Sequence, residues 1–119
     1  AIFLGQAFRN IIQNALEAML TGGVLSITGE VYPSDPQYVK ITITDTGCGV
    51  PPAEIEKIFY PFFTTKPQGT GLGLALACKI IEAHRGSIWA ESTVGEGTRI
   101  SLLLPLAAEP EDRGQKPEW

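Results

Sequence analysis

Apolar residues recur along the first segment at Leu4, Phe8, Ile11, Ile12, Ala15 and Met19, a helical spacing that makes one apolar stripe. The spacing predicts a helix over 2–20, ended by Gly22-Gly23, because glycine readily takes the left-handed cap. Apolar and polar residues then alternate over 24–31, the pattern of a half-buried strand. Tyr32-Pro33-Ser34-Asp35-Pro36 is a turn cluster. Alternation resumes over 38–44, with Val39, Ile41 and Ile43 on one face and Lys40, Thr42 and Thr44 on the other. These two strands and their short connection predict an antiparallel hairpin. The stretch 45–52 breaks the strand, and 53–59 has room for one or two helical turns. Residues 60–70 have no period and contain Pro61, Pro67 and Gly69, which predicts a mobile loop. A second helix is predicted over 71–84. Its apolar residues Leu72, Leu74, Ala75, Leu76, Ala77, Ile80, Ile81 and Ala83 nearly encircle it, so deep burial is expected. Arg85-Gly86 supplies the stop, and strands over 87–93 and 98–104 flank the turn Gly95-Glu96-Gly97. Strand pairs with inserted helices predict an α+β two-layer sandwich, helices on one face of a mixed sheet.

Composition agrees with one folded domain. The chain has 119 residues, 44% hydrophobic and 18% charged, which excludes a disordered protein and leaves enough chain for a core. Two cysteines, Cys48 and Cys78, exclude a disulfide-rich scaffold, and their spacing is not that of a metal pair. As free thiols they fit a reducing, cytoplasmic location. No apolar run reaches the roughly 18 residues needed to span a bilayer, and no leader pattern is present. Net charge is −4, so no nucleic-acid footprint is expected, and no membrane contact by this domain. The polar, Pro-bearing stretch 107–119 reads as a flexible tail, and its four acidic and two basic residues carry half of that charge. The chain opens almost directly on a helix, which suggests a piece of a longer protein, either soluble or membrane-bound.

Three features carry candidate chemistry. Asn10 and Asn14 lie four apart on one helix face, although asparagine is a mediocre helix former. They are either solvated amides or carbonyl oxygens facing a cleft, where an amide ligates magnesium without adding charge beside phosphates. Asp45-x-Gly47-x-Gly49 follows a strand. It is either a turn or a carboxylate aimed into a pocket, where it would accept from an exocyclic amine such as adenine's. Gly69-Thr70-Gly71-Leu72-Gly73-Leu74 leads into a helix, and closely spaced glycines before a helix N-terminus make an anion cradle. Neither the dinucleotide spacing nor a Walker A Gly-Lys-Ser/Thr is present. Lys66, upstream, is either a solvated lysine or a point charge for the same phosphates.

The order and wording of these blocks resemble the catalytic, ATP-binding domain of sensor histidine kinases. That domain belongs to the wider GHKL group with DNA gyrase, the Hsp90 chaperones and MutL. NIIQNALEA (10–18) looks like the N box, DTGCGV (45–50) the G1 box, IFYPFFTTK (58–66) the F box and GTGLGL (69–74) the G2 box. The likeness covers about 3–106, and the NALEAM and PFFTTK wording is most like the nitrogen-regulator branch. It implies a Bergerat fold: a two-layer α/β sandwich whose mostly antiparallel mixed sheet carries helices on one face and an ATP lid. It also implies a catalytic domain over 1–106 lacking its first strand and its dimerisation and phosphoacceptor helices. By position, Asn14 would ligate Mg2+, and Asp45 would receive the adenine amine with Thr98 in support. Gly47 and Gly49 would let backbone approach the base. Lys66 and the stretch Gly69, Thr70, Gly71, Leu72, Gly73 and Leu74 would serve the phosphates. The lid would run over 51–69, with Phe59, Phe62 and Phe63 either anchoring it and facing the partner helices or forming a small satellite core. ATP is then the substrate, and the γ-phosphoryl group goes to a histidine on a separate dimerisation domain, with a response regulator downstream.

Asn10 departs from the hydrolysing members of the wider group, where a glutamate at that position activates water. An amide cannot act as a general base near neutral pH, so hydrolysis should be slow, and Asn10, Asn14 and Lys66 would act by positioning and charge neutralisation. Glu17, one turn past Asn14, reads as a solvated carboxylate in preference to a water-assisted base. The only histidine, His84, ends a helix before Arg85 and reads as a helix-end residue rather than the phosphoacceptor. The rival assignments are a degenerate nucleotide-binding or protein-interaction module and a GHKL-type ATPase. The intact boxes oppose the first, and Asn10 opposes the second.

Overall fold

The computed structural model describes residues 2–61 and 73–106. The alternating segments form four strands, β1 (Leu25–Val31), β2 (Tyr38–Asp45), β3 (Ser87–Thr93) and β4 (Gly97–Pro105). Two helices, α1 (Ile2–Ala18) and α2 (Gly73–Ala83), form the second layer. The strand order is β1-β2-β4-β3. Two sequence-local hairpins therefore stand side by side, joined by β2 against β4, and all three pairings are antiparallel. The expectation of a mostly antiparallel sheet holds, and no parallel pair occurs among the described residues.

The register explains the core. Ile43, Ile100 and Ala90 lie on one rung across β2, β4 and β3, and Ile41, Leu102 and Ile88 on another. Alternation puts all six on the same face. That face meets Leu4, Ala7 and Ile11 of α1 and Leu74, Ala77, Ile80 and Ile81 of α2, all buried. The predicted stripe of α1 is correct in phase, and Ala7 joins it because the two helices pack directly on each other.

Two burial expectations fail. β1 was expected to be half buried, but its residues after Leu25 are exposed, including Ile27 at 53% and Val31 at 54%. β1 is an edge strand and, unlike β3 at the other edge, which α2 packs against, it lies outside the strip that the helices cover. α2 was expected to be buried all round, yet Leu76 is 47% exposed. A helix lying flat on a sheet beside one neighbour keeps an outer side, whatever residues stand there.

Residues 51–61, the first part of the expected lid, are docked. They make two short 3-10 turns, Pro52–Glu54 and Lys57–Phe59. Ile58 is buried in the core, and Ile55 and Phe59 pack against it, which favours the satellite-core reading of Phe59. Phe62, Phe63, the rest of the lid span and the tail 107–119 lie outside the described residues.

The chain leaves α2 through Arg85, which takes the left-handed region at φ 62° in place of a glycine. His84 closes this end by donating from Nδ1 to the carbonyl of Ile80 at 2.8 Å, as a helix-end residue would.

Candidate nucleotide site

One rung of the helix-facing surface is different. Where neighbouring rungs carry isoleucine, leucine and alanine, this one carries Asp45 of β2 opposite Thr98 of β4, and Thr98 opposite Ser92 of β3. The alternation that points Val39, Ile41 and Ile43 at the core brings Asp45 to the same face, where it is 5% exposed. A buried carboxylate needs hydrogen-bond donors. Asp45 Oδ1 accepts from the backbone N–H of Gly47 at 2.8 Å and from that of Thr98 at 3.3 Å. Oδ2 takes no part in either bond.

The loop after β2 is stitched to its surroundings by four hydrogen bonds. Cys48 N–H donates to the carbonyl of Ala18 at 3.2 Å, which satisfies one orphan acceptor at the end of α1. The carbonyl of Cys48 accepts from Gly95 N–H at 2.9 Å, and Val50 N–H donates to Ser92 Oγ at 2.7 Å. Thr46 Oγ1 accepts from Val24 N–H at 2.9 Å. Gly47 and Gly49 were expected to admit a ligand, but the close approach they permit is to the chain itself. A Cβ on Gly47 would stand 2.5 Å from the carbonyl oxygen of Ala18, and one on Gly49 would meet the carbonyl of Thr93. Gly49 is also left-handed, at φ 78°.

α1, whose Ala18 meets this loop, carries the two asparagines. Asn10 Oδ1 accepts from Gln6 Nε2 at 2.9 Å, and Asn10 Nδ2 donates to the carbonyl of Gly73 at 3.1 Å. Asn10 thus ties α1 to the first residue of α2. Asn14 lies one turn further along the same face, half buried. Glu17 is exposed and accepts from Gln13 Nε2 at 3.2 Å, which agrees with a surface carboxylate. Gly73 is exposed at the start of α2, and the Leu74 side chain is buried in the core. Lys66, Gly69, Thr70, Gly71 and Leu72 lie outside the described residues.

Two residues of the site are not assigned to it by the sequence reading. Ser92 stands where the pattern Ile88, Ala90 calls for another apolar residue, and that break was the available signal. Gly97, taken for a turn residue, opens β4 at φ 130°, where a Cβ would meet the carbonyl of Asp45. Only glycine lets β4 close on the end of β2 there.

A polar rung thus ends the otherwise apolar helix-facing surface of a two-layer α/β sandwich. Residues 1–108 match the family described as "Histidine kinase-, DNA gyrase B-, and HSP90-like ATPase", and the chain belongs to that family. Among curated relatives, sporulation kinase E of Bacillus subtilis is 41% identical over 110 residues, 92% of this chain and 15% of the relative. Sensor histidine kinase ZraS of Salmonella typhimurium is 42% identical over 92% of this chain and 23% of its own length. The chain therefore spans less than a quarter of either relative. Among solved structures, the mycobacterial sensor histidine kinase MprB superposes with a TM-score of 0.76 at 34% identity, covering 87% of this chain and 70% of that one. The nucleotide-free catalytic domain of histidine kinase ThkA gives 0.74 at 40% identity, with 87% and 66% covered. The chain is thus similar to the catalytic ATPase part of sensor histidine kinases.

Proposed function

We propose that this chain binds ATP with Mg2+ and transfers the γ-phosphoryl group to a histidine on a separate dimerisation helix hairpin, in two-component signalling. The observation that carries the reading is the buried Asp45, held by two backbone donors at the end of the sheet face. Its Oδ2 is the oxygen left to accept from the amine of adenine. A full-length ShkA structure, 28% identical over 91% of this chain, is described as a complex with AMPPNP, an ATP analogue, which supports the same ligand class here.

The donor set fits magnesium of one kind only. Among the described residues no group of three or more His, Cys, Asp or Glu forms a metal cage. The neutral amide oxygen of Asn14 suits an ion brought in on substrate phosphates, where Mg2+ keeps oxygen ligands and needs few from protein. The ion would neutralise phosphate charge. Lys66 and the Gly69–Gly73 backbone are assigned to the same phosphates on motif alone. Asn10, whose amide is engaged with Gln6 and Gly73, holds α1 to α2 and supplies no base. The attacking group must then come from another polypeptide segment, and neutral imidazole is a competent nucleophile.

We further take 1–106 as the catalytic unit and 107–119 as a tail, with the first strand and the acceptor helices supplied by the rest of the parent protein. A response regulator acts downstream of the acceptor. The nitrogen-regulator branch rests on the NALEAM and PFFTTK wording. The cytoplasm is the location that suits free Cys48 and Cys78 together with ATP. No helix among the described residues is long and apolar enough to cross a membrane.

The test is phosphoryl transfer with γ-labelled ATP and Mg2+. The chain alone should stay unlabelled, and an added kinase helix hairpin bearing a histidine followed by an acidic residue should acquire an acid-labile phosphate. Label on His84, or steady phosphate release without acceptor, would overturn the assignment.

A further inference from the structure

Ser92 Oγ joins Val50 of the loop after β2 to Gly97 and Thr98 of β4, and the proton count at its hydroxyl fixes the direction of each bond. Three groups surround Ser92 Oγ: Val50 N–H at 2.7 Å, the carbonyl oxygen of Gly97 at 2.8 Å and Thr98 Oγ1 at 2.9 Å. A serine hydroxyl has one proton and two lone pairs. Val50 N–H can only donate, so it takes one lone pair. The carbonyl of Gly97 can only accept, so it takes the proton, since two bare oxygens at 2.8 Å would repel. What remains for Thr98 is the second lone pair, and Thr98 must donate. Its own proton is then spent toward Ser92, and its oxygen is left with acceptor capacity alone.

We propose that Ser92 is a positioning residue for base recognition: by fixing the Thr98 hydroxyl proton inward, it makes the Asp45–Thr98 end of the site acceptor-only. The inference rests on the reading that Asp45 and Thr98 meet the base of ATP, and it deepens that reading. Two acceptors on one rung favour a purine carrying an amine at C6. They disfavour one carrying a carbonyl there, because the carbonyl oxygen would face acceptors with no proton between them. Without Ser92, the Thr98 hydroxyl rotates freely and can donate to a C6 carbonyl. Ser92 therefore contributes specificity for the amino purine without touching it.

The experiment compares ATP with ITP, which carries a carbonyl at C6, by titration calorimetry on the full chain. The unsubstituted chain should favour ATP. In Ser92→Ala the ATP/ITP affinity ratio should fall about fivefold, the worth of one ordinary hydrogen bond. Ser92→Thr, which keeps the hydroxyl, should retain the ratio. In a Thr98→Val background Ser92→Ala should change the ratio no further, because Ser92 acts only through Thr98. Should Ser92→Ala fail to fold, Ser92→Cys, whose thiol is a weak donor, reads the same ratio. Equal losses for both nucleotides would mean a merely structural serine and would overturn the proposal. So would an unsubstituted chain that binds ATP and ITP alike. A chain that binds neither nucleotide would overturn the site assignment beneath it.

Discussion

Asp45 is held by backbone N–H groups of Gly47 and Thr98, whereas Asn10 is held by one side chain, that of Gln6, and by the carbonyl of Gly73. The first arrangement belongs to the sheet. Its donors are set by the β2–β4 register and by glycines at which a Cβ would meet neighbouring backbone, so the carboxylate is in place before a ligand arrives. The second belongs to a helix surface and depends on where α2 begins. The difference teaches that the two ends of the proposed site recognise different things by different means. Fixed geometry suits a flat base with one hydrogen-bonding edge. Amides on a helix suit phosphates, which arrive with their own cation and need charge management more than shape.

The sharpest way to break this comparison is Asp45→Asn. If the amide oxygen keeps the Gly47 and Thr98 donors, its NH2 replaces the one acceptor left for the base and presents a donor to adenine's amine. ATP affinity should fall by about 100-fold, the loss of a charge-assisted hydrogen bond plus an unpaired polar group, near 3 kcal/mol. The loss should be the same with Mg2+ and with chelator, because the base does not carry the ion. Calorimetric titration checks both conditions, and a Mg2+-dependent loss would dissolve the division between the two ends.

Asn14→Ala probes the other end and should do less. ATP affinity should fall about tenfold in Mg2+, as expected for one ligand among several to a largely phosphate-bound ion. Affinity in chelator, and for adenosine in either condition, should stay unchanged. Equal losses for adenosine and ATP would move Asn14 into the base site and merge the two ends.

How much of this was legible in the sequence follows the same division. The Val39, Ile41, Ile43 alternation foretold the β2 face, and continuing it by one step points Asp45 inward. The helical stripe of α1 and the two hairpins were legible for the same reason: each is a local period. What was not legible is what depends on neighbours. The pattern of β1 reads as half buried, but burial of an edge strand is decided by what lies over it. The apolar ring of α2 predicted burial, but a two-layer architecture leaves Leu76 outward. Gly47 and Gly49 read as room for a ligand, and only the fold reveals Ala18 and Thr93 in that room. Ser92 was hidden because its partners meet it only in the fold: Gly97 and Thr98 face it when β3 pairs with β4, and Val50 arrives from the loop after β2.

The two thiols give the smallest effect and the finest probe of the comparison. Cys48 is exposed in the loop between Gly47 and Gly49, while Cys78 is half buried on α2. Burial, reinforced by the carboxylate of Glu82 that also hydrogen-bonds the thiol, pushes the Cys78 thiol above its ordinary range. The reactive species is the thiolate, so at pH 8 Cys78 should hold less of it and be harder to reach. Iodoacetamide followed by peptide mapping should label Cys48 several-fold faster, and the gap should narrow only as the pH is taken well into the alkaline range. Saturating ATP should slow labelling of Cys48 by a few-fold and leave Cys78 as it was, because only the first sits on the loop that also holds Asp45. ATP protection of both thiols alike would mean that nucleotide tightens the whole sandwich, and that the end formed by the sheet is not already built.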